Sequence, residues 1–418
     1  MNILLKSATI IDINSSFHNK KVDILIEKGV IQKIAENISY DAEIKVVELP
    51  NLHVSNGWFD SSVSFGEPGF EERETIENGL QTAAKSGFTG IALHPNTKPI
   101  IDNSGAIAYT KSKSLQTATQ LYPIGSLTVQ SKGIDLAELY DMHKHNAASF
   151  GDYKKSISNP NLLKLALQYT QSFDGLVQSY PQNNDIAGKG MVNEEVSGTQ
   201  LGLKGIPSLA EELQISRDLF ILEYTGGKLH IPTISTAKSV ALIKEAKKKG
   251  LDVSCSVAVH NLILDDSSLI EFDSNYKVLP PLRTKKDITA LLKGLKDGTI
   301  DMITSDHCPI DIENKQVEFD NASYGTIGLE SAFGALTNVL PLETIIEKLT
   351  SARFRFTNSD ISISEGQEAN ISLFTPETEY TFTKENILST SKNAAFLDKN
   401  MKGKAYGVYA NSQLVINP

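Results

Sequence analysis

Alternating strand and helix patterns along the middle of this chain restrict its fold more than any other feature of the sequence. The helical pattern ENGLQTAAKSG at 77–87 ends on glycine, and the apolar run FTGIALHP at 88–95 follows it as a buried strand would. Helix 237–250 leads into strand 251–259 in the same way, and helix 288–298 into strand 299–306. Such alternation over roughly 300 residues favours a parallel α/β fold, with the (β/α)₈ barrel as the best match to the length.

The two chain ends have a different pattern. Residues 1–50 and 366–418 carry branched residues at every second position, separated by turns rich in Gly and Asn, as in antiparallel strands. Neither end is long enough to form a domain alone. We therefore predict that both ends combine into one small β-sandwich domain, residues 1–52 plus 360–418, beside a barrel of residues 53–359.

Composition excludes several classes of partner. The formal net charge of −10 at pH 7 disfavours binding to nucleic acid and to anionic membranes. Only two cysteines occur, Cys255 and Cys308, which fits a reducing compartment. The N-terminal segment lacks the pattern of a signal peptide, and no apolar run is long enough to cross a bilayer. We expect a soluble cytoplasmic protein.

A series of motifs, in one order along the whole chain, resembles the motifs of bacterial dihydroorotases, a family of cyclic amidohydrolases. DSSVSFGEPGFE at 60–71 is similar to D-x-H-x-H-L-R-E-P-G-x-E, and HPNTKP at 94–99 to M-P-N-T-x-P. Similar matches are Phe150-Gly151-Asp152 with F-S-D-D-G, KVLPPLR at 277–283 with K-V-N-P-P-L-R, and SDHCP at 305–309 with T-D-H-A-P-H. The resemblance implies the amidohydrolase barrel.

The resemblance also implies a site with two zinc ions held by histidines and carboxylates, with an aspartate as base. In this chain the family's ligand histidines fall on hydroxyl side chains: Ser62, Ser64, a position on or near Ser179, and Thr233. Asp306 and Asp152 are retained, although the acidic neighbour of Asp152 has become Tyr153.

Substrate contacts are only partly retained. The family arginine falls on Gly66 and one asparagine on Leu279, whereas Asn96 persists. Asn96 and His307 are the candidates for substrate binding, and Asp306 is the candidate for a residual catalytic role. His94 stands where the family has methionine, so we expect it to face the pocket.

Metal binding is disfavoured by the donor chemistry. Zinc prefers imidazole, thiolate and carboxylate, and a neutral hydroxyl is a poor substitute because it keeps its proton. We therefore expect no metal cofactor. We also expect the replaced histidines to leave a cavity filled by water and hydrogen bonds.

Three functions remain open. The favoured one is a catalytically impaired dihydroorotase-like protein of pyrimidine biosynthesis, acting as a scaffold or partner, for example of aspartate transcarbamoylase, and able to form a homo-oligomer. The alternative is an active dihydroorotase or related cyclic amidohydrolase with a rebuilt site. The third is a sensor of a pyrimidine intermediate, which the loss of the family residues at Gly66 and Leu279 disfavours.

Overall fold

Eight parallel strands form a barrel in the computed structural model, which describes residues 2–40, 44–359 and 361–417, apart from the side chains of residues 196 and 197. Their hydrogen-bonded order follows the chain, as the predicted α/β barrel requires. The strands are β6 (Trp58–Val63), β7 (Phe88–Leu93), β8 (Gln120–Gly125), β9 (Ser149–Phe150), β10 (Leu176–Gln178), β13 (Lys228–Ile231), β14 (Val253–Ala258) and β15 (Met302–Thr304).

The barrel closes where β6 meets β15. Val63 pairs with His307 in an isolated parallel bridge, and the Ser64 N–H donates to the His307 carbonyl at 2.8 Å. Asp60 reinforces this seam from inside: its buried carboxylate accepts from the Thr304 hydroxyl and, at 2.9 Å, from the Ser305 N–H. The seam fixes the end of β6 against the end of β15.

Helices on the outside connect most of the barrel strands, and their ends follow the sequence signals. Thr236 caps the predicted helix after β13, accepting from the Ser239 N–H at 3.1 Å, and Gly250 ends it at φ +80°. The helices are α1 (Ile76–Lys85), α2 (Ser104–Ser112), α3 (Leu139–Lys144), α4 (Pro160–Thr170), α5 (Asn184–Ala187), α6 (Val196–Gln200), α7 (Ser208–Thr225), α8 (Ala237–Lys248), α9 (Val259–Ile263), α10 (Lys285–Lys296), α11 (Ile312–Lys315), α12 (Leu329–Leu336), α13 (Leu342–Thr350) and α14 (Ala352–Thr357).

Both chain ends contribute to one further sheet, as predicted. Its central contact is antiparallel pairing of an N-terminal strand with a C-terminal strand, with Leu373 opposite Val54. The strands are β1 (Ile3–Ile10), β2 (Lys21–Glu27), β3 (Val30–Ala35), β4 (Lys45–Val47), β5 (His53–Asn56), β16 (Ile371–Thr381), β17 (Asn400–Ala410) and β18 (Gln413–Ile416). The residue limits given above for the two domains stay a prediction.

Aromatic packing joins this sheet to the barrel. The buried Trp58 ring at the start of β6 stacks on Phe333 with centroids 4.9 Å apart, and lies 5.4 Å from Phe374 of β16. Outside both sheets, β11 (Val192–Asn193) and β12 (Gly205–Ile206) form a short parallel ribbon. No helix in the described part of the chain combines the length and apolar character that a membrane crossing requires.

Candidate functional site

A narrow pocket lies at the carboxyl ends of the barrel strands, where barrels of this kind carry their chemistry. Its lining includes Ser62 of β6 and the residues just beyond four other strands: His94, Tyr153 and Lys154, Tyr180, and Asp306. The free volume between them is about 10 Å³. That is room for about one water molecule, and too little for a small-molecule ligand in this arrangement.

An ion pair occupies the centre of the pocket. The Lys154 ammonium donates to the Asp306 Oδ2 at 2.9 Å, with side-chain exposures of 12% and 2%. The Ser62 hydroxyl donates to the other oxygen, Oδ1, at 3.0 Å. Asp306 is thus held between a charged and a neutral donor, and these contacts compensate for its burial.

His94 extends this cluster, facing the pocket as expected. Its Nε2 lies 3.0 Å from the Ser62 hydroxyl, and its ring lies over that of Tyr153 with centroids 4.2 Å apart. Burial, assisted by the Lys154 charge, lowers the pKa of His94 to about 3, so the imidazole is neutral. Burial likewise raises the pKa of Tyr153 well above its usual value, so the phenol keeps its proton.

The other hydroxyls at family ligand positions have separate partners. Ser64 exchanges hydrogen bonds with the Asn96 amide, the shorter at 2.8 Å. Ser179 donates to the buried Asp218 at 2.6 Å. Thr233 lines the pocket at φ +48°, and its N–H donates to Ser256 Oγ at 3.0 Å. These side chains do not converge on a common point.

Asp152, the second retained carboxylate, lines the pocket but takes no part in the central ion pair. It accepts from Ser126 Oγ at 2.7 Å, from the Thr128 N–H at 3.1 Å and from the Thr128 hydroxyl. The acceptor capacity of this carboxylate is therefore committed to the neighbouring loop.

The two residues predicted to bind substrate are absent from the pocket lining. Asn96 is tied to Ser64. His307 is fully buried at the barrel seam, where its Nδ1 accepts from the Gly328 N–H at 3.1 Å, and burial lowers its pKa to about 4. The substrate-binding role of both residues, like the catalytic role of Asp306, stays a prediction.

The donor set does not fit the two-zinc centre of the family. Among the described residues, no group of three or more His, Cys, Asp or Glu side chains is arranged to hold a metal ion. The hydroxyls of Ser62, Ser64 and Ser179 hydrogen-bond to protein groups. A lysine ammonium, which cannot ligate a cation, contacts the one central carboxylate.

The expectation of a water-filled cavity is wrong. Hydrogen bonds do replace the metal contacts, but Tyr153, Tyr180 and Lys154 fill the space. Lys154 was not among the site residues predicted from the sequence, although its position in a family motif marks it. Residues 150–154 correspond to the family motif F-S-D-D-G, so Lys154 occupies the position of the motif's glycine. Its backbone is left-handed, at φ +51°, which is a conformation that glycine favours.

Known proteins resemble this chain along its full length. A family model described as dihydro-orotase-like matches residues 53–239. A dihydroorotase of Pelotomaculum thermopropionicum is 35% identical over 423 positions, covering 100% of this chain and 99% of the relative. A dihydroorotase of Caldanaerobacter subterraneus subsp. tengcongensis is also 35% identical, covering 96% and 94% respectively.

Solved structures resemble the fold. The L-hydantoinase (dihydropyrimidinase) from Arthrobacter aurescens superposes with a TM-score of 0.85 at 20% identity, covering 100% of this chain and 96% of that one. A dihydropyrimidinase from Brevibacillus agri gives 0.82 at 19% identity, covering 100% and 95%. This likeness confirms the predicted barrel with its accompanying sheet.

We predict that Lys154 and Asp306 are energetically coupled. Lys154→Met leaves a buried carboxylate without its cation and should cost about 3 kcal/mol of unfolding free energy. Combining it with Asp306→Asn should cost less than the sum of the single changes, with a coupling energy of about 2 kcal/mol. Urea denaturation of the four proteins measures this. The exposed pair Lys248–Glu245 is the control, where Lys248→Met should leave the unfolding free energy essentially unchanged because solvent screens the pair. Additive costs at Lys154 and Asp306 would show that the pair does not stabilise the pocket.

We also predict that buried His94 makes stability fall as the solution is acidified. From pH about 6.5 down to about 3 the unfolded chain binds a proton at this residue and the folded chain does not. The unfolding free energy should therefore drop with decreasing pH by up to about 1.4 kcal/mol per pH unit from this residue alone.

Urea titrations at several pH values measure this dependence. The slope of the unfolding free energy against pH should be smaller in His94→Gln than in the wild-type protein. Gln178→Met, in the same pocket but without a titrating group, should keep the wild-type slope. Equal slopes in His94→Gln and wild type would contradict the assignment of a buried neutral imidazole.

Proposed function

The chain belongs to the dihydroorotase family, and on that premise we propose that it is a non-catalytic member in which a lysine replaces the metal centre. The carrying observation is the Lys154 ammonium bound to Asp306 inside a pocket with about 10 Å³ of free space. The lysine supplies the positive charge next to the aspartate, but it cannot polarise a carbonyl as a Lewis acid or generate hydroxide at neutral pH. The chain would thus serve pyrimidine biosynthesis without catalysing the ring-opening step.

Three further observations support this proposal. Three of the four hydroxyls at the family ligand positions, those of Ser62, Ser64 and Ser179, are engaged with other protein groups rather than left open for a ligand. The arginine that would hold the substrate carboxylate is replaced by Gly66, whose Cβ position is blocked by the Phe70 carbonyl oxygen at 1.7 Å. Any larger residue at position 66 would therefore require a different loop, so the loop itself has diverged from one that presents an arginine.

A rebuilt hydrolase is the second candidate, and one arrangement favours it. Ser62 lies between the neutral His94 and Asp306, at 3.0 Å from each, which is the spacing of a hydroxyl beside a base. A cyclic amide could approach Ser62 only if Lys154 and Tyr153 moved out of the pocket. This candidate therefore requires an open state.

A metal and activity measurement separates the two candidates. We expect far less than one zinc ion per chain after purification without chelators, and no dihydroorotate hydrolysis after zinc is added. The matched control restores the donors in one variant: Ser62→His, Ser64→His, Ser179→His and Thr233→His, together with Tyr153→Asp and Lys154→Gly. If only the control variant takes up zinc, the absence of zinc from the wild-type protein is due to the missing histidine and aspartate ligands. About two zinc ions in wild type, with turnover abolished by Asp306→Ala, would establish the rebuilt hydrolase instead.

We further propose aspartate transcarbamoylase as a partner, on the strength of the family resemblance and of a framework that persists without the metal donors. The purified chain and the transcarbamoylase of the same organism should co-elute on gel filtration and retain each other in a pull-down. Lys154→Met, which alters only the pocket, should bind equally well and serves as the control. Separate elution at tens of micromolar, well above the concentration range of stable complexes, would remove this partner from the proposal.

A further inference from the structure

A second pocket lies at the amino-terminal end of the barrel strands, away from the pocket built around Asp306. Its cavity of about 240 Å³ opens between the first residues of β10 and β13 and the carboxyl-terminal end of α14. The apolar part of its lining includes Tyr122 and the buried rings of Phe150 and Phe356. Unlike the central pocket, this cavity has room for a small ligand.

Three cationic side chains line the second pocket, and two of them are neutralised by the protein. The Lys228 ammonium lies 2.6 Å from the Asp174 carboxylate, and the Arg355 guanidinium lies 2.5 Å from Asp252. The third cation is Lys111, in the last turn of α2, which has no carboxylate partner in the described part of the chain. The pocket therefore holds one positive charge that no acidic side chain compensates.

Lys111 is half-buried in the pocket wall rather than extended into solvent. Its ammonium lies 5.5 Å from the centroid of the Tyr122 ring. Burial lowers the pKa of Lys111, which reflects the cost of holding an ammonium beside apolar groups without a counter-ion. An anion in the cavity would offset that cost.

Neutral donors without protein partners line the same cavity. The side-chain amides of Asn146 and Asn358 make no hydrogen bond to any residue that the structure describes, and both residues stand on left-handed backbone, at φ +70° and +52°. His143 packs its ring on Phe173 at a centroid distance of 4.9 Å, with neither ring nitrogen bonded to the described protein. Groups from α2, from α3 and its end, and from the end of α14 can thus donate to one oxyanion from different sides.

The charge of this pocket is opposite to that of the chain. The protein carries a formal net charge of −10, whereas the pocket has an uncompensated ammonium above apolar walls. A cleft of one sign with walls of low dielectric constant focuses the field and raises the local concentration of counter-ions. Several donors around one ammonium suit a phosphate group, whose oxygens accept hydrogen bonds in several directions.

We propose that the second pocket binds a phosphate group, either as inorganic phosphate or as the phosphate of a small ester, with the Lys111 ammonium as its principal contact. The pocket lies at the opposite end of the barrel strands from Asp306. The proposal is therefore independent of whether the central pocket catalyses a reaction.

Equilibrium dialysis of the full chain against inorganic phosphate, at constant ionic strength, tests this proposal. We expect saturable binding of about one phosphate per chain, with a dissociation constant on the order of 1 mM or lower. Lys111→Met should raise that constant by about 10-fold or more, because a charge-assisted contact is lost. The matched control is Lys113→Met, which removes the same charge outside the pocket, where the ammonium pairs with Glu67, and should change the constant by less than about 2-fold.

An asparagine variant tests the same pocket without removing a lysine. Asn146→Asp places a carboxylate in the lining and should abolish phosphate binding by charge repulsion, while aspartate tolerates the left-handed backbone as asparagine does. Asn19→Asp is the control, since Asn19 is exposed outside the pocket with φ +59°, and it should bind phosphate normally. Unchanged thermal melting of the variants would show that the fold is intact.

Competition in the same dialysis identifies the source of the phosphate group. Glycerol phosphate that competes more strongly than inorganic phosphate would assign a phosphate ester, and weaker competition would assign the free ion. Acetate, with one charge and two oxygens, should compete poorly, and equal competition by acetate would overturn the assignment. The proposal also fails if no saturable binding occurs below about 10 mM phosphate. It fails as well if Lys111→Met changes stability alone, as expected of a lysine that serves only the carboxyl end of α2.

Discussion

The buried carboxylate of Asp60 holds together the two strands at which the barrel closes. It accepts from the Ser62 N–H within β6 and from Thr304 and Ser305 at the end of β15, so it fixes the register of the first strand against the last. The hydrogen bonds lower the pKa of this carboxyl while burial raises it, and burial dominates. The same seam brings Ser62 beside Asp306. The local geometry of the pocket thus follows from the way the barrel closes rather than from a metal ion.

The central feature of the pocket is the cation next to Asp306, which is a lysine ammonium and not a metal ion. In a two-zinc hydrolase the metals neutralise the surrounding carboxylates and also perform the chemistry. Here the ammonium of Lys154 neutralises Asp306 and has no further capacity for Lewis-acid catalysis. Removing an imidazole without supplying this ammonium would leave a buried acid unpaired, which costs several kcal/mol. The lysine therefore compensates a buried carboxylate that has hydroxyls rather than metal donors beside it.

Local pattern was sufficient to predict the barrel and the joining of both chain ends. Strand and helix periods are local properties, and the glycine that ends helix 237–250 could be read directly from the sequence. The contents of the pocket could not, because they depend on which side chains meet across the barrel. Lys154 lies 152 positions from Asp306 in the chain, and Ser179 finds Asp218 on α7.

Three side chains of the pocket, Lys154, Thr233 and Asp306, stand on left-handed backbone at φ of +51°, +48° and +49°. Glycine adopts this conformation freely, whereas a branched residue such as threonine is strained there by about 1–3 kcal/mol. Such a conformation persists only where the surrounding structure over-determines it. The packing around the pocket therefore fixes the backbone that carries these three side chains, and it offsets the cost of holding the backbone there.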